Sequence, residues 1–124
     1  MEFSFRNDSP VYLQIASILE GAILRGEFKA GDKLPSVREL AMQSRTNINT
    51  VQKALTRLES QGLIETRRTS GKYVSANPEA LKRQKKEAAR ELCRTFLEGM
   101  EALGYSAEDC AALLLEGEQD ETSG

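Results

Sequence analysis

Between Lys33 and Val74 the chain lays down short elements in a fixed order, and that order constrains its fold more than any other feature. Leu34-Pro35-Ser36-Val37-Arg38-Glu39-Leu40 places a proline before a capping box. The Ser36 side chain can accept from the Glu39 amide while the Glu39 carboxylate returns to the Ser36 amide, so a helix is predicted to start there. Val37, Leu40 and Ala41 supply its inward face, and the helix fades by Gln43 or Ser44. Ser44–Thr46 makes a turn. Asn47 then caps a longer helix, expected from about Ile48 to Ser60, whose apolar residues Val51, Ala54, Leu55 and Leu58 recur at helical spacing. Gly62 ends it. Leu63–Arg67 and Lys72–Ser75 read as two strands around a Thr69-Ser70-Gly71 turn. The sequence of elements is that of a helix-turn-helix followed by a β-wing.

The outer face of the longer helix decides what such a unit can do. At about 100° per residue, Asn49, Lys53 and Thr56 point away from the leucines, with Gln52 on the flank. That face is rich in donors and has no acid near its start. A helix facing only solvent more often mixes Glu with Lys. Arg67, Arg68 and Lys72 gather around the wing turn. At a hairpin edge such charges can serve solubility alone. Beside a polar helix they suit phosphates or an adjacent minor groove.

The net charge of −2 hides a strong polarisation. Residues 25–75 carry ten Lys/Arg against five Asp/Glu, and residues 78–94 carry six against three. Residues 98–124 carry eight acids and no base. A localised basic surface is what attraction to a phosphate backbone requires, whatever the whole-chain average.

The flanking segments complete the plan. Phe3 and Phe5 alternate with polar residues in a short extended segment, either an edge of the core or a dimer contact. Ser9-Pro10 opens the first helix, with Tyr12, Ile15, Leu19, Ala22 and Ile23 on its buried face and Gly26 as its stop. A short strand is expected at Lys33-Leu34. Asn77-Pro78 marks a boundary, after which residues 79–103 read as one long helix. Leu81, Ala88, Leu92, Phe96, Met100 and Leu103 fall near one of its faces. Ser106 and Asp109 start a last helix carrying Leu113 and Leu114. Two such helices are too small for a core of their own, so these eight apolar residues are expected to bury against a second copy of the chain. The expected organisation is a winged helix-turn-helix DNA-binding domain over 1–76, a helical dimerisation region over 77–116 and a disordered acidic tail over 117–124. The fold class is mainly α with a small β-wing.

Several functions are disfavoured. No apolar run is long enough to span a bilayer, and Met1–Ser9 has neither a basic start nor an apolar signal segment, which together favour a cytoplasmic location. There is no histidine, the usual general base. Cys93 and Cys110 form no metal-binding pair. With no nucleophile motif and no phosphate-cradling glycine loop, neither an enzyme nor a metal or other cofactor is expected.

Leu34-Pro35-Ser36-Val37-Arg38-Glu39-Leu40-Ala41, then Asn47-x-Asn49-Thr50-Val51-Gln52-Lys53-Ala54-Leu55 and Leu58-Glu59-x-x-Gly62-Leu63-Ile64, closely resembles the winged helix-turn-helix of GntR-type bacterial transcriptional regulators. Ser9-Pro10-Val11-Tyr12-x-Gln14-Ile15 resembles the opening of the YtrA-type subfamily, whose C-terminal region is a short pair of helices. The resemblance implies that Arg38 reaches DNA, that Asn47, Asn49 and Thr50 meet backbone or bases, that Gln52 and Lys53 lie one turn further in, and that Gly71 lets the wing approach the minor groove. Two departures stand out. Ser44 and Thr46 are polar where the family is usually apolar, and the wing turn lacks a first glycine.

The function expected is a homodimeric, sequence-specific repressor bound to a palindromic double-stranded DNA operator, with a transporter operon suggested by the subfamily alone. A winged helix that docks a protein is the alternative. A small-molecule effector is a further candidate partner, with Phe96, Met100 and Tyr105 as candidate pocket residues; a place in the dimer core is the simpler role for them.

Overall fold

The computed structural model describes the backbone of residues 1–123 and the side chains of residues 1–117. The elements in order are α1 (Val11–Leu24), α2 (Val37–Ser44), α3 (Ile48–Ser60), β1 (Ile64–Arg67), β2 (Gly71–Val74), α4 (Pro78–Ala102) and α5 (Ala107–Ser123). The chain divides into two compact units, residues 1–85 and 86–124, a division that falls inside α4. The helix crosses the division because nothing in residues 79–98 breaks it: the stretch has no proline and no glycine.

In the first unit α1, α2 and α3 surround one core. Ile15, Leu19 and Ile23 of α1 meet Leu40 of α2 and Val51, Leu55 and Leu58 of α3, with Leu34, Leu63 and Val74 closing the wing side. Side chains of this size stabilise by about 1.5–3 kcal/mol each when fully buried. Phe3 and Phe5, whose ring centroids lie 6.3 Å apart, pack half-buried on this core. They are an edge of the core. Gln14, also buried, ties down the segment that carries them: its Oε1 accepts the Arg6 amide at 2.8 Å, and its Nε2 donates to the carbonyls of Arg6 and Ser9, each at 2.9 Å.

The start of α1 departs from expectation. Pro10 itself occupies the cap position with an extended ψ of 140°, and no side chain caps the helix. Ser9 contributes its carbonyl to Gln14. Tyr12, expected on the buried face, is only half-buried.

Both helix starts that frame the turn carry the expected cap residue, but of the expected box at Ser36 only the bond from the Glu39 amide forms among the described residues; the Glu39 carboxylate does not return to the Ser36 amide. The Glu39 amide donates to Ser36 Oγ at 3.1 Å, and the Thr50 amide to Asn47 Oδ1 at 2.9 Å. The polar turn between them packs well. Ser44 is buried, its hydroxyl donates to the Leu40 carbonyl at 2.6 Å, and it lies 2.7 Å from the Thr46 hydroxyl. Each hydroxyl therefore satisfies the other, which an apolar pair would not need. Arg45 closes α2 in the left-handed region with φ of 56°.

The wing is a two-stranded antiparallel hairpin with Ile64 opposite Val74 and Arg67 opposite Gly71. Lys33 adds a bridge to Tyr73, and the Leu34 amide donates to the Lys72 carbonyl at 2.9 Å, so the expected short strand is a third rung. Gly71 adopts φ of 109° directly after the turn, a conformation that side chains rarely take.

α4 starts under the cap of Asn77, whose Oδ1 accepts the Glu79 amide at 3.0 Å. Leu81 packs against the core of the first unit, and Gln84 Nε2 donates to the Gln61 carbonyl at 3.0 Å. Leu81 therefore anchors the start of α4 to the core of the first unit.

The second unit holds the rest of α4 and α5, joined by a short turn. Gly104, at φ of 91°, ends α4, and the Tyr105 amide donates to the Met100 carbonyl at 3.0 Å. A complete capping box starts α5: the Ser106 amide donates to Asp109 Oδ2 at 2.9 Å and the Asp109 amide to Ser106 Oγ at 3.1 Å. The Ser106 amide and hydroxyl hold the Asp109 carboxyl below its ordinary value. α5 runs on from Ala107 to Ser123; no proline intervenes. Gly124 lies outside the described residues. Among the described residues no helix is long and apolar enough to cross a membrane.

Candidate nucleic-acid interface

The outer face of α3 is built by subtraction. Val51, Ala54, Leu55 and Leu58 take the inward side, and Asn49, Gln52, Lys53, Thr56 and Arg57 stand exposed. The first turn holds no acid. The lone acid of the helix, Glu59, is turned to the wing, where its Oε1 accepts the Thr66 hydroxyl at 2.6 Å and its Oε2 lies 3.3 Å from Lys72 Nζ. Lys72 Nζ also donates to Thr66 Oγ1 at 2.6 Å. The Thr66 hydroxyl, followed by the Lys72 ammonium, holds the Glu59 carboxyl below its ordinary value despite partial burial, which acts the other way.

Lys72, expected at the DNA, thus has partners within the fold. Its side chain is only 19% exposed and clamps β2 to α3. The wing position puts its stem inward, and sequence spacing alone does not show a partner thirteen residues away. The Asn47 side-chain oxygen is engaged: Oδ1 accepts both the amide and the hydroxyl of Thr50, the latter at 3.0 Å. Thr50 is half-buried, and its hydroxyl is spent on that bond.

The other expected residues are exposed. Arg38 stands in the first turn of α2, and Arg38, Lys53 and Arg68 enter no ion pair among the described residues. The Lys53 ammonium sits 4.9 Å above the Tyr12 ring, a cation–π contact that aims it along α1. Arg67 stacks 4.0 Å over the Tyr73 ring and lies 3.4 Å from Glu65, so the ring carries its guanidinium along the wing. Gly71 has room: a Cβ there would meet only Lys33 Cε, at 3.8 Å.

Sequence reasoning missed three contributors. Tyr12 joins Gln52, Lys53, Thr56, Arg57 and Ser60 in lining a shallow cleft of about 410 Å³ on the α3 face. Arg57 and Arg45 add exposed cations that enter no ion pair among the described residues. A basic residue at the end of a polar helix face was a usable signal for Arg57. For Arg45 there was none, since a charged residue in the left-handed region follows no local rule.

In the second unit, Leu92 and Leu103 are each 73% exposed, Leu114 is 61% and Leu115 is 60%. Phe96, Tyr105 and Leu113 are exposed to a lesser degree. Ala88, Leu97 and Met100 are half-buried, and Cys110 is the buried side chain of the hairpin among the described residues. Cys93 is exposed. Among the described residues no cluster of three or more Cys, Asp or Glu is placed to hold a metal ion.

A helix-turn-helix with a hairpin wing, a polar and partly basic recognition face, and an appended helical hairpin defines a winged-helix DNA-binding regulator. Residues 11–74 match the family of bacterial regulatory proteins called the gntR family. Over its whole length the chain is 37% identical to the HTH-type transcriptional regulator YhcF of Bacillus subtilis (strain 168), itself uncharacterized, and covers 99% of it. It is 50% identical over 72 residues to the HTH-type transcriptional repressor YtrA of the same organism, a match spanning 58% of this chain and 55% of the repressor. A solved GntR family transcriptional regulator from Listeria monocytogenes superposes with a TM-score of 0.86 at 34% identity, covering 90% of this chain and 98% of that one. The chain belongs to the GntR family of transcriptional regulators, whose members bind DNA and are not enzymes.

Proposed function

We propose that the chain is a homodimeric repressor that grips a palindromic operator, with the outer face of α3 in the major groove and the wing along the adjacent backbone. One observation carries this reading. The exposed side of α3 offers Asn49, Gln52, Lys53 and Thr56 with no competing acid, because Glu59 is turned away to Lys72 and Thr66. Amides at the helix start suit base edges, with Asn49 or Gln52 bidentate to an adenine. Arg38, Arg67 and Arg68 suit phosphates or, for Arg38, a guanine. Such work places the protein with the chromosome, in the cytoplasm.

The partner for the hairpin is a second copy of the chain. Its leucines are too exposed for a hairpin this small to stand alone. Two-fold symmetry would set half-sites about 34 Å apart or a multiple of that. Repression follows the printed role of the YtrA relative, and a transporter operon as target rests on the subfamily resemblance alone. Control through protein concentration, without an effector, fits so small a C-terminal region.

Sedimentation equilibrium of the intact chain and of a Leu92→Glu, Leu114→Glu double variant tests the assembly. The expected result is a dimer that becomes a folded monomer and loses operator affinity at least tenfold, since two half-sites no longer share one molecule. A double variant that stays dimeric would move the interface elsewhere.

A further inference from the structure

The first turn of α3 leaves a particular pair of side chains free. Of residues 47–50, the Asn47 side-chain oxygen and the Thr50 hydroxyl are bound to each other and to the helix backbone. Ile48 and Asn49 are exposed and make no side-chain hydrogen bond among the described residues. Ile48 is 44% exposed and belongs neither to the buried core cluster nor to the half-buried residues that pack on it. The fold of the first unit therefore does not require an isoleucine there.

An apolar, β-branched side chain at the tip of a polar recognition face has a chemical counterpart. The major groove offers one purely apolar feature, the C5 methyl group of thymine. Ile48 has little χ1 freedom in a helix, so its methyl groups hold one direction before binding. Asn49, next to it, carries the donor and acceptor that match adenine N7 and N6.

We propose that Ile48 is a specificity-determining residue that packs on a thymine methyl group in each half-site, while Asn49 reads a neighbouring adenine. The proposal rests on α3 entering the major groove and adds that its first turn selects A·T pairs. The Asn47–Thr50 cap sets the direction of both side chains.

The test uses the intact chain and its best duplex from a random pool. Each thymine is replaced in turn by 2′-deoxyuridine, which removes the methyl group and keeps the base pair. One thymine per half-site should lose about fourfold in affinity, the worth of one buried methyl group. Ile48→Ala, which removes the contact in both half-sites of the dimer, should weaken binding to the thymine duplex by about sixteenfold, two such methyl contacts, and bind thymine and uracil duplexes equally. Its exposed position and the high helix propensity of alanine keep the fold, checked by the melting curve. Asn49→Ala should keep the methyl sensitivity and lose preference at an adjacent adenine. The proposal is overturned if no thymine is sensitive, or if Ile48→Ala keeps the same sensitivity as the parent. Absence of binding to any duplex would instead overturn the groove reading and this proposal with it.

Discussion

Replacing Lys72 by methionine separates its two candidate roles. Methionine keeps most of the stem and removes the ammonium that bonds Thr66 and faces Glu59 at 3.3 Å. A charge-assisted hydrogen bond in a buried site contributes about 1.5–3 kcal/mol, and a solvent-exposed ion pair about 0.2–1 kcal/mol. The side chains are 19% and 38% exposed, so the interaction falls between these limits, at about 1 kcal/mol. For a domain of this size that corresponds to a fall in melting temperature of about 4–8 °C. DNA binding should respond differently. Each phosphate contact adds about 0.9 to the slope of log affinity against log salt. Lys72→Met should leave that slope unchanged, whereas Arg68→Ala should lower it by about 0.9 per protomer. Thermal melting and operator titrations at several salt concentrations give both quantities. A Lys72→Met chain of unchanged stability whose slope falls by about 0.9 per protomer would refute the clamp and return Lys72 to the phosphate backbone.

Three further outcomes follow from the same geometry. Ser44→Ala removes a buried hydroxyl bonded at 2.6 Å to Leu40 and leaves Thr46 without its partner, which should cost about 1 kcal/mol in urea unfolding; no loss would mean that the polar turn is incidental. Arg45→Gly relieves a left-handed residue at φ of 56°, worth about 1 kcal/mol, but loosens the unfolded chain by a similar amount. Stability should therefore stay within about 0.5 kcal/mol while affinity for DNA falls; a larger loss of stability would show that the Arg45 side chain holds the turn. Glu59 should give an acid-side contribution to stability. Its folded pKa lies below the ordinary value of 4.5, so the contribution is complete above that value and is lost as pH falls through the lowered folded pKa. The difference in urea midpoint between the parent and Glu59→Gln should shrink on going from pH 7 to below pH 4.

Much of the first unit was legible because its signals are local. The capping residues Ser36 and Asn47, the leucine spacing of 51–58 and the Ser-Gly wing turn each depend on neighbours a few residues apart. What sequence could not show depends on contacts across the fold. Lys72 looked like a wing cation because its partner Glu59 lies on another element. Leu81 fell on the same helical face as Leu92, and helical spacing cannot say that one packs on the core while the other is exposed. The division within α4 was invisible for a similar reason, since a continuous helix leaves no mark where its packing partner changes. At the interface, Asn49, Gln52, Lys53 and Arg68 were placed on exposed surface by periodicity and turn position, whereas the second bond to the Asn47 cap, from the Thr50 hydroxyl, needed coordinates.

The central claim is that the exposed side of α3 reads duplex DNA. Its most direct measurement is selection from random duplexes by the intact chain, in parallel with a chain carrying Asn49→Ala and Gln52→Ala and shown to melt normally. The account predicts one enriched motif with dyad symmetry for the parent, and loss of that motif with retained weak, salt-sensitive binding for the variant. The same motif enriched equally by both chains would contradict it.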